Sequence, residues 1–290
     1  MPSWFTIAIT CALLTACCDA TSKRIMLEND EWITGTAVLF MAAVFLAPLI
    51  LYLGLHPFTW ELTELLVVLL PLEVSGYYLF LSALRLAPLS LVLPLLAFTP
   101  VLTVVSAELI LGEIISGMPL VGIGLVGIGA YILYIDPTQR SFLGPIRALL
   151  GNAGAKRMML AAAVWALTST LGKPGTQLYG PVQFGFLILL CLTACFGVIS
   201  LVRMRRGEAS FSLTKKNLVL FVIAGLFMSG AEITHFVSLS MAPVAFMIAV
   251  KRISLVFGVI LGKLLFGEEH VGYRMAGSFL MVGGLFFLYR

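Results

Sequence analysis

The sequence predicts an all-α membrane protein of ten transmembrane helices, arranged as two inverted five-helix repeats. Three observations carry this. Apolar residue types make up 60 % of the 290 residues and charged types 11 %, whereas soluble domains stand near about one half and about one quarter. That leaves too little polar surface to cover a water-facing globule. The apolar residues fall into ten long runs, and the second half of the chain repeats the first at a constant offset.

A helix needs roughly 20 mostly apolar residues to cross about 30 Å of hydrocarbon. In lipid every backbone polar group must be satisfied internally, so spans are helices or closed barrels. The runs here are too long and continuous for barrel strands. They fall at 4–26, 32–54, 62–86, 88–112, 118–135, 157–175, 181–202, 217–240, 243–266 and 272–289. Leu14-Thr15-Ala16-Cys17 has the form of a lipoprotein cleavage box. Yet no Lys or Arg precedes Lys23, so the charged start of a secretory signal is missing. Trp4 to Met26 therefore reads as a retained first span. Proline suits the first turn of a helix, where its missing N–H costs nothing. Arg85-Leu86-Ala87-Pro88 and Ser240-Met241-Ala242-Pro243 thus read as tight hairpins between spans three and four and between eight and nine.

The repeat is ungapped across three spans. Leu84, Ala87, Pro88, Val101, Gly112 and Glu113 fall on Leu239, Ala242, Pro243, Val256, Gly267 and Glu268. Gly122, Gly129 and Tyr134 continue the match to Gly277, Gly284 and Tyr289. Five spans per half is an odd number, so the second half lies inverted in the membrane, a recurring plan of secondary transporters with the site at the repeat interface. The halves are expected at 1–136 and 157–290. The linker, 137–156, alternates basic and apolar residues (Arg140, Phe142, Arg147, Leu149) in the manner of a short interfacial helix. Thirteen of the 18 Lys and Arg residues lie on one side, Lys173 and Arg290 on the other, and Lys251, Arg252 and Lys263 within spans. By the positive-inside rule both termini then lie outside the cytoplasm, in a multi-pass protein of the cell membrane.

Several function classes drop out. No basic patch interleaves with exposed aromatics, so nucleic acid is not a partner. Cys11, Cys17, Cys18, Cys191 and Cys195 sit inside apolar runs without zinc or disulfide spacing and read as packing residues. No catalytic constellation appears, so the chain is not read as an enzyme, and no cofactor or metal is expected. Gly122-x-Gly124-x-x-Gly127 lacks the strand that a dinucleotide fingerprint needs; small residues letting helices pack closely is the better reading. Gly112-Glu113 and Gly267-Glu268 read as helix punctuation with a solvated acid.

Charge inside the membrane is the informative signal, because a lone charge there costs at least a few kcal/mol. Glu108 and Lys263 stand at equivalent repeat positions near span ends, where they reach the interface. Asp19 reads as locally paired near Ser22 and Lys23. Lys251 and Arg252 sit near the middle of the ninth span. Glu232 and Lys251 are equally far from the hairpin at 241–242, hence at one depth, and His235 shares the Glu232 face. Glu232, His235, Lys251 and Arg252 are therefore the candidate substrate-binding cluster. A buried Lys251–Glu232 pair that only holds helices together is the structural alternative, and it leaves Arg252 without a partner. Adjacent Lys and Arg suit an anion, Arg as a planar fork and Lys as a point charge. Glu73, in the third span, is either a proton-coupling carboxylate or part of a hydrogen-bond network; Glu232 is the second coupling candidate.

The chain resembles the EamA branch of the drug/metabolite transporter superfamily over nearly its whole length. The resemblance rests on the duplicated ten-span layout, on Ala87-Pro88 through Leu111-Gly112-Glu113, and on the second copy, Ala242-Pro243 through Phe266-Gly267-Glu268. Trp165 followed by Lys173 is similar to the family's first-helix pattern; Lys23 matches in the first half, but Trp4 is farther away. Lys251-Arg252 also resembles the Lys-Arg pair of plastid sugar-phosphate translocators, which binds phosphate there. The resemblance implies a ten-helix basket, a central cavity and alternating access, and leaves the substrate open; the expected partners are the lipid bilayer and a small-molecule substrate, with the protein a monomer or homodimer. The expected function is secondary transport of a small anionic or zwitterionic metabolite. The alternative is proton-coupled export of amino acids or neutral or cationic drug-like compounds; a membrane enzyme or structural subunit stands third.

Overall fold

A computed structural model describes residues 3–54, 56–87, 92–133, 151–209, 211–266 and 271–288, and every regular element among them is helical. The first half comprises α1 (Ser3–Ile25), α2 (Glu31–Leu53), α3 (Trp60–Leu86), a 3₁₀ helix (Leu93–Phe98) continuing into α4 (Thr99–Leu111), and α5 (Met118–Leu133). The second comprises α6 (Ala153–Tyr179), α7 (Pro181–Arg205), α8 (Lys215–Met241), α9 (Val244–Lys251), α10 (Ser254–Phe266) and α11 (Val271–Leu288). With the 3₁₀ helix and α4 as one span and α9 and α10 as another, the chain makes ten spans. Among the described residues, six stretches are long and apolar enough to cross a membrane: α1, α2, α3, α7, α8, and Val244–Gly262 taken across the α9–α10 break.

Helix starts are set locally. The Asp30, Thr59, Asn152 and Thr214 side chains each accept a backbone N–H from the first turn of α2, α3, α6 and α8, which satisfies donors that otherwise have no partner. The α8–α9 hairpin is as tight as expected: α8 ends at Met241 and Pro243 precedes α9. Its counterpart after α3 and the linker up to residue 150 lie outside the described residues, as do Glu268 and His270. The second half starts its first helix at Ala153, inside the stretch assigned to the linker.

Packing follows the duplication. α1 packs on α8 as α3 packs on α6, α2 packs on α7, and α5 packs on α11. Exchanging the halves turns the α1–α8 pairing into the α3–α6 pairing and returns α2–α7 and α5–α11 to themselves, as a two-fold relation requires. The closest backbone-on-backbone contacts at glycines are made at the matched positions. A Cβ on Gly129 would stand 2.7 Å from the Gly277 carbonyl oxygen, and one on Gly284 would stand 2.7 Å from that of Gly122. Gly124, by contrast, faces open space, with nothing within 4 Å. The working unit of the glycine run is therefore Gly122 with Gly129, seven residues apart, and the Gly-x-Gly-x-x-Gly spacing is incidental.

Two spans differ from the continuous helices expected. Span four opens as a 3₁₀ helix that gives way to α4 at Thr99. Span nine breaks after Lys251 and resumes at Ser254. The Arg252 N–H is shared between the Ile248 and Ala249 carbonyls at 3.2 Å each, and Ile253 bonds three residues back to Val250 at 3.0 Å, so the turn tightens from α to 3₁₀. Thr99 and Ser254 are repeat equivalents, so the discontinuity itself is duplicated.

Candidate functional site

α1, α3, α6, α7, α8 and α9 enclose a central cavity of about 140 Å³. All four predicted binding residues line it: Glu232 and His235 from α8, Lys251 from the end of α9, and Arg252 from the break. Glu73 lines it from α3. On an unbroken helix Lys251 and Arg252 would point about 100° apart. Both nevertheless line the same cavity.

The polar contacts are specific. Lys251 Nζ stands 3.3 Å from His235 Nδ1, a distance at which the ammonium donates to a neutral imidazole. The His235 ring also meets Phe236 edge-on at 5.0 Å. Arg252 is 5 % exposed, and its Nε has no hydrogen-bond partner among the described residues. The lateral pairing of Glu232 with Lys251 differs from the simple expectation. Both reach the cavity, but no ion pair joins Lys251 or Arg252 to a carboxylate among the described residues. Lys251 instead acts on Asp19, Glu73 and Glu232 through space, and Arg252 acts on Asp19.

Asp19 is the residue that sequence reasoning placed elsewhere. It lines the cavity from α1, facing the field of both cations. Its position in the last third of the first span was the available signal. What the sequence did not carry is which helix face looks inward, since α1 shows no apolar stripe to mark one.

Polar locks join the halves at both ends of the bundle. At the end holding the α1–α2 turn, Asp30 accepts from Arg85 at 3.1 Å and from Arg203 at 3.5 Å, and Arg85 also donates to Glu31. Glu28 accepts from Asn217 at 2.8 Å and Lys216 at 3.2 Å, which together hold its carboxyl below the usual range. At the opposite end Glu113 pairs with Lys173 and accepts the Val244 backbone N–H at 2.9 Å, while Lys173 donates to the Ala242 carbonyl at 2.9 Å. Gly112, at φ 68°, terminates α4 as expected of a C-terminal glycine. The acid beside it is not solvated: the Glu113 side chain is 19 % exposed and ties α4 to α6 and to the start of α9. Glu108, in turn, is on the exposed face of α4, and the side chain of Lys263 lies outside the described residues.

The arrangement is that of a duplicated helical basket around a polar cavity, and comparison with known proteins agrees. The EamA-like transporter family matches at residues 2–135 and again at 152–290, so the chain belongs to that family. It is a multi-pass integral membrane protein built of two EamA domains. A riboflavin transporter of Rhizobium johnstonii is 26 % identical over 192 residues, which is 66 % of this chain and 58 % of that protein, so the chain spans little more than half the length of this relative. A solved crystal structure superposes with a TM-score of 0.78 at 15 % identity, covering 99 % of this chain and 96 % of its own. That likeness concerns the fold.

Proposed function

We propose that the protein moves a small anionic or zwitterionic metabolite by alternating access, with Arg252 and Lys251 receiving the carboxylate or phosphate group. The observation that carries this reading is Arg252, buried at the break in span nine with its Nε unpartnered. A guanidinium held there with no direct ion pair among the described residues is stabilised by an anion that arrives with the substrate. His235 positions Lys251, and Asp19, Glu73 and Glu232 shape the field around both.

The three carboxylates favour a second reading, proton-coupled movement of neutral or cationic compounds, with Glu73 or Glu232 as the proton carrier. Riboflavin, named for the relative above, is a neutral compound and sides with this alternative. Purified protein in liposomes preloaded with inorganic phosphate, succinate or glutamate separates the readings. The anionic reading expects uptake of the labelled anion against unlabelled internal anion, with no chemical change. Uptake of neutral compounds alone, driven by a pH gradient, overturns it.

A further inference from the structure

The cavity carries a flat apolar wall that the charged groups do not explain. Trp165, on α6, lines it. On α3, Phe80 tilts against the indole at 45° with ring centroids 4.9 Å apart, and Phe80 itself is 4 % exposed. One turn earlier stands Gly76. A Cβ there would lie 3.0 Å from Trp165 Nε1 and 3.1 Å from its Cδ1. The edge of the indole therefore rests on bare α3 backbone, and a Cβ at 76 would require the indole and Val164 to give by a few tenths of an ångström. Trp165 is half-buried. The indole N–H of Trp165 makes no hydrogen bond among the described residues, and Gly76 and Phe80 hold the ring by shape.

Resting on the anion reading above, we propose that the substrate bears a planar aromatic ring as well as its acidic group, that Trp165 is the platform for that ring, and that Gly76 is the residue that positions the platform. Trp165 and Phe80 share one enclosed volume with Arg252 and Lys251. A bare inorganic anion engages the cations and leaves the aromatic wall against water; a small aromatic acid engages both. Size agrees: the cavity is about 140 Å³, and an apolar cavity of about 150 Å³ takes up benzene. The site therefore suits one ring with a short acidic arm.

The test is equilibrium binding of phenylacetate and of cyclohexylacetate to the purified full-length protein. The two acids share charge and approximate size and differ in ring planarity and π-character. Wild type is expected to prefer phenylacetate by roughly threefold to tenfold, the range of an aromatic pair beyond its buried area. Trp165→Leu removes the preference, Trp165→Phe keeps part of it, and Gly76→Val weakens phenylacetate more than its saturated twin. Arg252→Lys weakens both acids by a similar factor. Equal affinity of wild type for the two acids, or a full preference surviving in Trp165→Leu, overturns the ring proposal. If in that case Arg252→Lys still weakens both acids, the anion reading stands alone. If Arg252→Lys leaves both affinities intact, the anion reading fails, and the ring proposal fails with it; absence of any binding by either acid overturns both.

Discussion

Glu113 accepts the backbone N–H of Val244 at 2.9 Å, across 131 residues of chain. The same carboxylate holds the Lys173 ammonium, and Lys173 reaches the Ala242 carbonyl. One acid thereby caps α9, closes the α8–α9 hairpin and fastens the end of α4 to α6. Its two halves belong to different repeats, so any motion of α9 relative to the first half must break it.

Lys173→Ala strands Glu113 at a part-buried position. Loss of one partner of a buried pair costs about 3–5 kcal/mol, and partial exposure reduces that to about 1–3 kcal/mol here. Thermal unfolding in detergent is expected to show a clear drop in Tm for Lys173→Ala and a smaller one for Glu113→Gln, which keeps an acceptor for Val244. Equal Tm values for both variants and wild type contradict the assignment.

The glycine contacts between α5 and α11 give a symmetric prediction. Overpacking typically costs about 1–3 kcal/mol, and the contacts here are backbone on backbone. Gly129→Ala and Gly284→Ala are expected to lower stability by similar amounts within that range or above it, while Gly124→Ala, with open space around it, leaves stability unchanged or slightly raised. A large loss at Gly124 with none at Gly129 contradicts the two-fold packing.

If Glu73 or Glu232 carries the coupling proton, its change to Gln removes the dependence of net transport on a pH gradient. Exchange of labelled for unlabelled substrate survives, because Lys251 and Arg252 remain. Full gradient dependence in Glu73→Gln and Glu232→Gln alike shows that neither is the carrier.

Much of this was legible in the sequence because lipid is an unforgiving solvent. Ten apolar runs are readable where backbone groups have no water to fall back on, and the offset that maps Gly129 on Gly284 anticipates the pairing of α5 with α11. The chemistry of the site was less legible. No proline or glycine stands at the break itself, Arg252-Ile253, to announce it. Its trace lies in the first copy, where Pro100 follows Thr99, the equivalent of Ser254. Asp19 and Glu113 were misplaced for one reason: each acquires its role from a helix far away in sequence, and an acid at a span end looks the same solvated or locked.

The charge bias is tested by a C-terminal reporter. Lys and Arg concentrate on the side of the α1–α2 turn, so a reporter fused after Arg290 and active only in the cytoplasm is expected to stay silent. Strong signal reverses the orientation and exchanges the faces on which the Glu113 and Asp30 locks lie, without altering either.

The most direct test of the central claim is the ligand-induced thermal shift of wild type against Arg252→Lys, across a panel of small carboxylates and phosphates. A ligand bound only by the folded state at a hundred times its Kd adds about 2.7 kcal/mol of stability. Lysine keeps the charge and loses the planar fork. The account predicts that at least one aromatic carboxylate or phosphate raises the wild-type Tm, and that Arg252→Lys loses most of that rise while its ligand-free Tm stays near wild type. The same rise in both proteins, or a rise only with neutral compounds, contradicts it.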